Sequence, residues 1–180
     1  MSFGYNPSMS PSRSRLTFPP FLILLSVLEW TGAAFAADCT QPPGPGVDWQ
    51  RCYVDGRDLQ GKVLTGARLI DGSFERSNLS KADLTRASGY HAKFISSILA
   101  GARLDDGTFP EADFTRADLT GASLRNADLR RARFFRANLT GADLTGAKTQ
   151  GADMLNADLS GATWTDGKHI CAPGSIGQCN

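Results

Sequence analysis

A five-residue period runs through most of this chain of 180 residues and restricts its fold more than any other feature. A large apolar residue recurs at every fifth position from Leu59 to Trp164, which gives 22 pentads in one unbroken frame. This central residue is Leu, Phe, Met or Trp in 20 of the 22 pentads, and the residue two positions earlier is Ala, Gly or Ser in 20 of 22. Because helices repeat about every 3.6 residues and strands about every 2, a sustained five-residue period predicts a solenoid.

The two constant positions of the pentad predict a narrow core. One large and one small residue would face the axis, and the other three positions would face water. The inward position beside each large side chain must be small, because overpacking a core costs about 1–3 kcal/mol. The sequence therefore predicts a tube filled by one ladder of Leu and Phe and a second ladder of Ala.

The repeat resembles the motif of the pentapeptide-repeat family, Ala-(Asp/Asn)-Leu-X-X. Four segments match the motif to the letter: Ala117-Asp118-Leu119, Ala137-Asn138-Leu139, Ala142-Asp143-Leu144 and Ala157-Asp158-Leu159. The resemblance covers residues 54–168 and implies an all-β fold, a right-handed quadrilateral (pentapeptide-repeat) β-helix with four pentads in each coil. About 5.5 coils, stacked about 4.8 Å apart, would form a rod about 26 Å long.

The charged residues support a coil of 20 residues, which would stack each residue on the one 20 positions later. One such column alternates in sign: Lys93, Asp113, Arg133 and Asp153. Four further opposite-charge pairs would be Arg103 beside Asp83, Arg125 beside Asp105, Arg131 beside Glu111, and Lys148 beside Asp128. Opposite charges on adjacent strands stabilise a sheet by about 0.2–1 kcal/mol, so the charge pattern favours four sides.

Residues 1–36 are interpreted as a signal peptide. Arg13 and Arg15 supply the positive charge that precedes an apolar run at Phe21–Leu28. Ala34-Phe35-Ala36 matches an A-x-A cleavage site. The apolar run is too short to span a bilayer, so we expect a periplasmic or secreted product with no membrane attachment after cleavage.

The N-terminus has two other interpretations. Residues 1–36 could form an unprocessed tail. A lipoprotein is disfavoured because Asp38 precedes Cys39, where a lipobox requires a small neutral residue. We therefore expect the mature chain to begin at Ala37.

The four cysteines flank two loops, one at each end of the repeats. Cys39 and Cys52 enclose a Pro- and Gly-rich stretch, and Cys171 and Cys179 enclose the second loop. Four cysteines allow three connectivities, of which local pairing within each loop is the most economical. Because the ends of a solenoid need caps, residues 37–53 and 169–180 are predicted to be disulfide-pinned caps on a repeat domain at 54–168.

Two pentads lack a large central residue, at Gly89 and Thr149. Both positions fall on the side of the coil that also carries Leu69 and Leu129. One interpretation is that neighbouring side chains compensate by packing. The other is that a dent in the rod receives a ligand.

No group of residues in the repeats has the pattern of a catalytic or metal centre. The two histidines, His91 and His169, are far apart in the frame, and a zinc site needs clustered ligands. The Asp residues precede the central residue as a feature of the repeat, whereas paired catalytic carboxylates need a cleft. We therefore expect no enzymatic activity, no cofactor and no bound metal.

The net charge restricts the class of partner. The formal net charge is +1, and removal of residues 1–36 leaves 17 basic and 17 acidic groups. Such a balance provides no global field that would attract nucleic acid. The leading interpretation is a non-enzymatic secreted scaffold that binds a protein or serves as envelope structure.

The alternative comes from the family resemblance. Some pentapeptide-repeat proteins resemble duplex DNA in shape and charge and protect gyrase from inhibitors, so this chain could be a DNA mimic that interacts with a topoisomerase. That role requires a strongly acidic face and a cytoplasmic address. The balanced charge and the predicted signal peptide both disfavour it.

One side of the predicted coil, here called the Phe side, is the candidate interaction surface. Its central residues are Phe74, Phe94, Phe114, Phe134 and Met154. Its outward positions carry the candidate binding residues Ile95, Arg116, Phe135, Arg136 and Leu155, and neither arginine has an acidic residue 20 positions away. Aromatic residues and Arg are enriched in interface cores, which favours contact with an unknown protein partner or self-association. Alternatively, a terminal segment folds back and buries Phe135 and Leu155.

Overall fold

The computed structural model describes Met1 and residues 38–180. The chain divides into two units, Met1–Ala34 and Phe35–Asn180. Apart from Met1, the predicted signal peptide and its cleavage site lie outside the described residues. The repeats and all four cysteines belong to the second unit.

Parallel β-bridges join each coil of the second unit to the next. They pair residues 20 positions apart, beginning with Asp48 and Arg68 and ending with Asp143 and Thr163. Each pentad contributes one bridge, so a coil has four sides, as the charge pattern predicted. The described residues contain no helix and no continuous strand, and two-residue turns separate the bridges. The β structure predicted from the sequence therefore takes the form of isolated bridges.

Backbone hydrogen bonds between coils follow the same period. The Leu119 N–H donates to the Asn138 carbonyl in the next coil (2.7 Å), and the Asp118 N–H donates to the Ser97 carbonyl in the preceding coil (3.0 Å). Within the coil, the Ala122 N–H donates to the Leu119 carbonyl (3.0 Å) and closes the corner. Every inner pentad is thus tied to the coil above and the coil below.

The corner two positions after the central residue has a left-handed backbone conformation. Gly121 has φ 61° and Asn126 has φ 56°. Left-handed backbone is readily adopted by Gly and is tolerated by Asn better than by most other residues. The frequent Gly at this position of the pentad therefore reflects the turn.

The large central and small inward residues form one continuous core. Leu119 is fully buried and Ala117 is 1% exposed, which confirms the predicted inward positions. On the Phe side, the rings stack along the axis with centroid separations of 5.2, 5.0 and 5.0 Å from Phe74 to Phe134. Aromatic pairs of this kind add about 0.5–1.5 kcal/mol beyond the burial of their area.

The N-terminal end of the rod is closed by a disulfide-linked loop. Cys39 pairs with Cys52, as the economical pairing predicted. The Trp49 indole N–H donates to the Gln41 carbonyl (3.3 Å), which holds the loop against the first coil. Trp49 and Cys52 are each 1% exposed, so this end of the core is sealed.

The C-terminal end is closed only in part. Cys171 pairs with Cys179, again as predicted. The tail pairs antiparallel with the last coil at two bridges, Asp158 with Ile176 and Thr163 with Ile170. These two bridges lie on two sides of the coil, and the tail makes no bridge to the other two sides in the part of the chain that the structure describes.

Candidate interaction surface

The coil repeat places the candidate residues in one patch. The Arg116 N–H donates to the Phe135 carbonyl (2.9 Å), and the Arg136 N–H donates to the Leu155 carbonyl (3.1 Å). These four residues therefore lie together at one corner of the Phe side. Ile95 lies in the column that contains Phe135 and Leu155, two coils before Phe135.

Exposure differs along this patch. Leu155 is 61% exposed, Ile95 and Phe135 are half-buried, and Arg116 and Arg136 are exposed. The C-terminal tail crosses the end of the coil and leaves Leu155 accessible. The apolar surface of the patch therefore increases toward the C-terminal end.

A cation–π contact, which the sequence pattern did not indicate, joins two of the candidate residues. The Arg136 guanidinium carbon lies 5.1 Å from the centroid of the Phe135 ring. Contacts of this kind at exposed sites are worth about 0.5–1 kcal/mol. An outward aromatic residue followed directly by an outward Arg is the signal that could have revealed it.

The ion pairs of the arginines agree with the predicted columns in three cases. Arg103 approaches Asp83 (3.8 Å), Arg131 approaches Glu111 (3.5 Å), and Arg133 approaches Asp113 (3.2 Å). Within residues 38–180, neither Arg116 nor Arg136 forms an ion pair. The patch therefore keeps two cationic groups that no carboxylate of the described chain neutralises.

Two predicted pairings, those of Arg125 and Lys148, were wrong in detail, and Arg130 forms a pair that was not predicted. Arg125 pairs with the Asp143 carboxylate (2.6 Å), while Asp105 accepts a hydrogen bond from the Arg125 backbone N–H (3.1 Å). Arg130, which has Pro110 as its stacked neighbour, pairs with Asp128 in its own pentad (2.6 Å). Lys148 forms no ion pair with any described residue. A long side chain reaches sideways as well as along its column, which the period of 20 alone does not predict.

The aspartates that precede central residues stabilise turns. Asp83 accepts hydrogen bonds from the Thr85 N–H (3.0 Å) and hydroxyl (2.5 Å). Burial alone would raise the pKa of Asp83, but the hydrogen bonds from Thr85 and the nearby Arg103 and Arg86 hold that pKa below its usual value. The Asp83 carboxylate is thus held by donors of its own turn, which is unlike a general acid or base.

A charged column runs along the corner that carries His91. Its Nδ1 lies 3.5 Å from Asp71, and its Nε2 lies 2.8 Å from Glu111. The hydrogen bond with His91, opposed by partial burial and assisted by Arg131, lowers the pKa of Glu111. Among the described residues, no group of three or more His, Cys, Asp or Glu side chains is arranged to hold a metal ion.

The missing side chain at Gly89 leaves no dent. A methyl group added to Gly89 would lie 2.6 Å from the Phe109 ring, one coil later on the same side. Phe109 is fully buried and meets Phe94 edge to face at a centroid distance of 6.1 Å. Packing compensation is therefore the correct interpretation of Gly89.

The short central side chain of Thr149 leaves a cavity at the C-terminal end of the core. The cavity has a volume of about 360 Å³ and is lined by Thr149, Ala152, Met154, Trp164, Gly177, Gln178 and Cys179. Thr149, Met154 and Trp164 are only half-buried.

In the part of the chain that the structure describes, no helix is both long enough and apolar enough to cross a membrane.

Solved structures with similar folds are pentapeptide repeat proteins. HetL, involved in heterocyst differentiation regulation in the cyanobacterium Nostoc sp. strain PCC 7120, is 28% identical, with a TM-score of 0.61 over 71% of this chain. This chain spans 65% of the length of HetL. A pentapeptide repeat protein of the Arabidopsis thaliana thylakoid lumen is 28% identical over 68% of this chain and 83% of its own, with a TM-score of 0.41.

No curated protein matches the chain. A family model does match it and agrees with the likeness to the solved structures. The model for pentapeptide repeats matches eight copies, at residues 50–86, 97–136 and 137–163, and Gly89 falls in the gap between the first two stretches. This match and the likeness to HetL imply a right-handed quadrilateral β-helix. The chain therefore belongs to the pentapeptide repeat family.

Proposed function

We propose that this chain is a non-enzymatic, exported scaffold that binds a protein partner, or a second copy of itself, through the Phe side. The observation that carries the proposal is the patch formed by Phe135, Arg136 and Leu155. Leu155 is 61% exposed beside arginines that form no ion pair with the described residues. Clustered exposed apolar side chains mark interaction sites, and arginines and aromatics dominate binding energy in interfaces.

The rest of the rod supports a binding role over a chemical one. Its carboxylates are engaged in turns and ion pairs, such as Asp83 with Thr85 and Asp128 with Arg130. Acidic and basic groups alternate along the columns, as in Glu111 with Arg131. A DNA mimic needs a continuous acidic face, so the mixed charge does not favour that alternative.

The disulfides support export to the periplasm or beyond. Both ends of the rod carry one, Cys39 with Cys52 and Cys171 with Cys179, and such bonds persist in oxidising compartments. We expect cleavage after Ala36. Intact-mass measurement of the exported protein tests this, and a mass that still includes Met1 to Ala36 would contradict it.

The binding role is tested with a double variant, Phe135→Asp with Arg136→Glu. It should abolish capture of the partner, or self-association measured by sedimentation, because it reverses both the apolar and the cationic character of the patch. The matched control is Thr120→Asp, because Thr120 is exposed on another side of the coil. This variant should change neither partner capture nor self-association.

The single variant Arg136→Glu separates binding from folding, since Phe135 is half-buried. It should weaken binding while the melting temperature is unchanged. Retention of every captured partner and of any self-association by both variants would refute the proposed role of the Phe side.

A further inference from the structure

The last coil leaves the backbone groups of one stretch of its edge unpaired, at residues 147–156, although tail residues 177–179 lie beside the Met154 end of that stretch. Within residues 38–180, the N–H groups of Thr149, Gly151, Met154 and Asn156 form no hydrogen bond. One coil earlier, the equivalent N–H groups are all engaged, for example Leu129 with the Lys148 carbonyl (2.9 Å). The unpaired stretch therefore keeps the N–H donors that would normally hold the next coil.

The same stretch also keeps its acceptors. The Ala127 and Ala132 carbonyls accept hydrogen bonds from the next coil, at 2.9 Å each. The equivalent carbonyls of Ala147 and Ala152 accept none from the described residues. Donors and acceptors thus alternate as required for a parallel strand, and an exposed edge of this kind is a template for pairing with another chain.

The cavity behind this edge supplies an apolar site for a side chain. Thr149 and Met154 occupy the central positions of the two unpaired pentads, and Trp164 and tail residues 177–179 line the rest of the cavity. A strand paired to the edge would place its own central residues over Thr149 and Met154. The volume of about 360 Å³ can accept large apolar side chains there.

A complete coil from a second copy does not fit this end. The tail already occupies the next level on the two remaining sides, through Ile170 and Ile176. The first coil of another copy would have to displace that tail to stack on all four sides. A single extended segment requires a smaller change, because only tail residues 177–179, which lie against Met154 and Asn156, would have to move aside.

The charges beside the edge restrict the sequence of that segment. Lys148 is exposed and unpaired within the described chain, so the residue stacked on it should be acidic. Asp153 is exposed and follows the alternation of its column, so the residue stacked on it should be basic. Leu155 is 61% exposed and would pair with an apolar residue.

We propose that the edge at residues 147–156 binds an extended peptide segment of a partner protein as an added parallel strand, with one or two large apolar side chains in the cavity behind Thr149 and Met154. The segment carries an acidic residue over Lys148 and a basic residue over Asp153. This inference rests on the proposed function and extends the Phe side, which ends at Leu155, around the end of the rod. Strand addition gives affinity through backbone hydrogen bonds and specificity through pockets for alternate side chains.

The direct test uses the full chain labelled with ¹⁵N and the synthetic peptide Ala-Asp-Leu-Thr-Gly-Ala-Lys-Phe-Leu. Amide exchange at Thr149, Gly151, Met154 and Asn156 should slow by roughly tenfold or more when the peptide is added, because bound amides exchange only after opening. A peptide of the same composition in scrambled order should give no protection. Equal protection by both peptides, or protection of these amides before any peptide is added, would overturn the proposal.

A cavity-filling variant provides the second arm. Thr149→Phe should abolish peptide binding because the new ring occupies the cavity, and its melting temperature should not fall. The control Thr120→Phe, at an exposed position, should bind the peptide as the unchanged chain does. If Thr149→Phe binds the peptide normally, the proposal is wrong.

The experiments distinguish failure of the added-strand proposal from failure of the proposed binding role of the Phe side. Loss of partner capture in the Phe135→Asp, Arg136→Glu variant, without any peptide protection of the edge amides, would leave the Phe side as the binding surface and refute the added strand.

Discussion

Gly89 and Thr149 are the same irregularity at two levels of the rod. They lie on one side, 60 positions apart, and each lacks the large central side chain that its column otherwise carries. Around Gly89 the space is filled by Phe109 from the next coil. Beyond Thr149 the described residues form no further coil on that side, and a cavity of about 360 Å³ remains. A solenoid can therefore repair a missing core residue only where a neighbouring coil is available to contribute one.

The variant Phe109→Ala should give the largest loss of stability among the tests of this difference between Gly89 and Thr149. Phe109 fills its own position and that of Gly89, so its removal should cost about 3–5 kcal/mol of unfolding free energy. Denaturant titration measures this loss. A cost below about 1 kcal/mol would show that Phe109 does not support the Gly89 pentad.

Gly89→Ala should cost about 1–3 kcal/mol, because the added methyl would lie 2.6 Å from the Phe109 ring and overpack the core. Gly89 does not have a positive φ, so backbone strain is not the cause. Adding Phe109→Leu should recover part of the loss, since the two sites are coupled. Strictly additive costs in the double variant would contradict the contact.

Thr149→Leu should change the unfolding free energy by less than about 1 kcal/mol, and in the stabilising direction, because the cavity has room for the larger side chain. The same denaturant titration compares it directly with Gly89→Ala. A loss as large as that of Gly89→Ala would mean that the two pentads do not differ in the way described.

The smallest expected effect is a dependence of stability on pH, which should be present near the Gly89 pentad and absent from the Thr149 pentad. His91 follows Gly89 by two residues and contacts Glu111 at 2.8 Å, whereas the corner equivalent after Thr149 is Gly151. Because the pKa of Glu111 is lowered in the folded chain from its ordinary 4.5, its stabilising contribution is present above that pH. The contribution is lost as the pH falls through the folded pKa.

Melting temperatures measured at decreasing pH test this sign. The unchanged chain should lose more stability below about pH 4.5 than Glu111→Gln, which cannot titrate at this position. Gln150→Ala, in the Thr149 pentad, should follow the unchanged chain. An identical pH dependence for the unchanged chain and Glu111→Gln would show that the contact between His91 and Glu111 has no energetic effect.

The period of the sequence determined the coil, its four sides and the buried positions, because these depend only on which residues repeat. The disulfide pairs followed from the short loops that Cys39 and Cys171 begin. The sequence did not reveal that Phe109 leans over Gly89 or that Arg125 selects Asp143, since both depend on side-chain direction. It also predicted a C-terminal cap at residues 169–180 without showing that the tail pairs with only two sides of the last coil.

The coil of 20 residues also determines how such a chain can change in length. Duplication of a whole coil would lengthen the rod by about 4.8 Å and leave every later residue on its original side. Insertion of a single pentad between Arg116 and Phe135 would preserve the hydrophobic frame yet turn everything after it by a quarter of a revolution. The two halves of the Phe135 and Arg116 patch would then point in different directions on an otherwise intact rod.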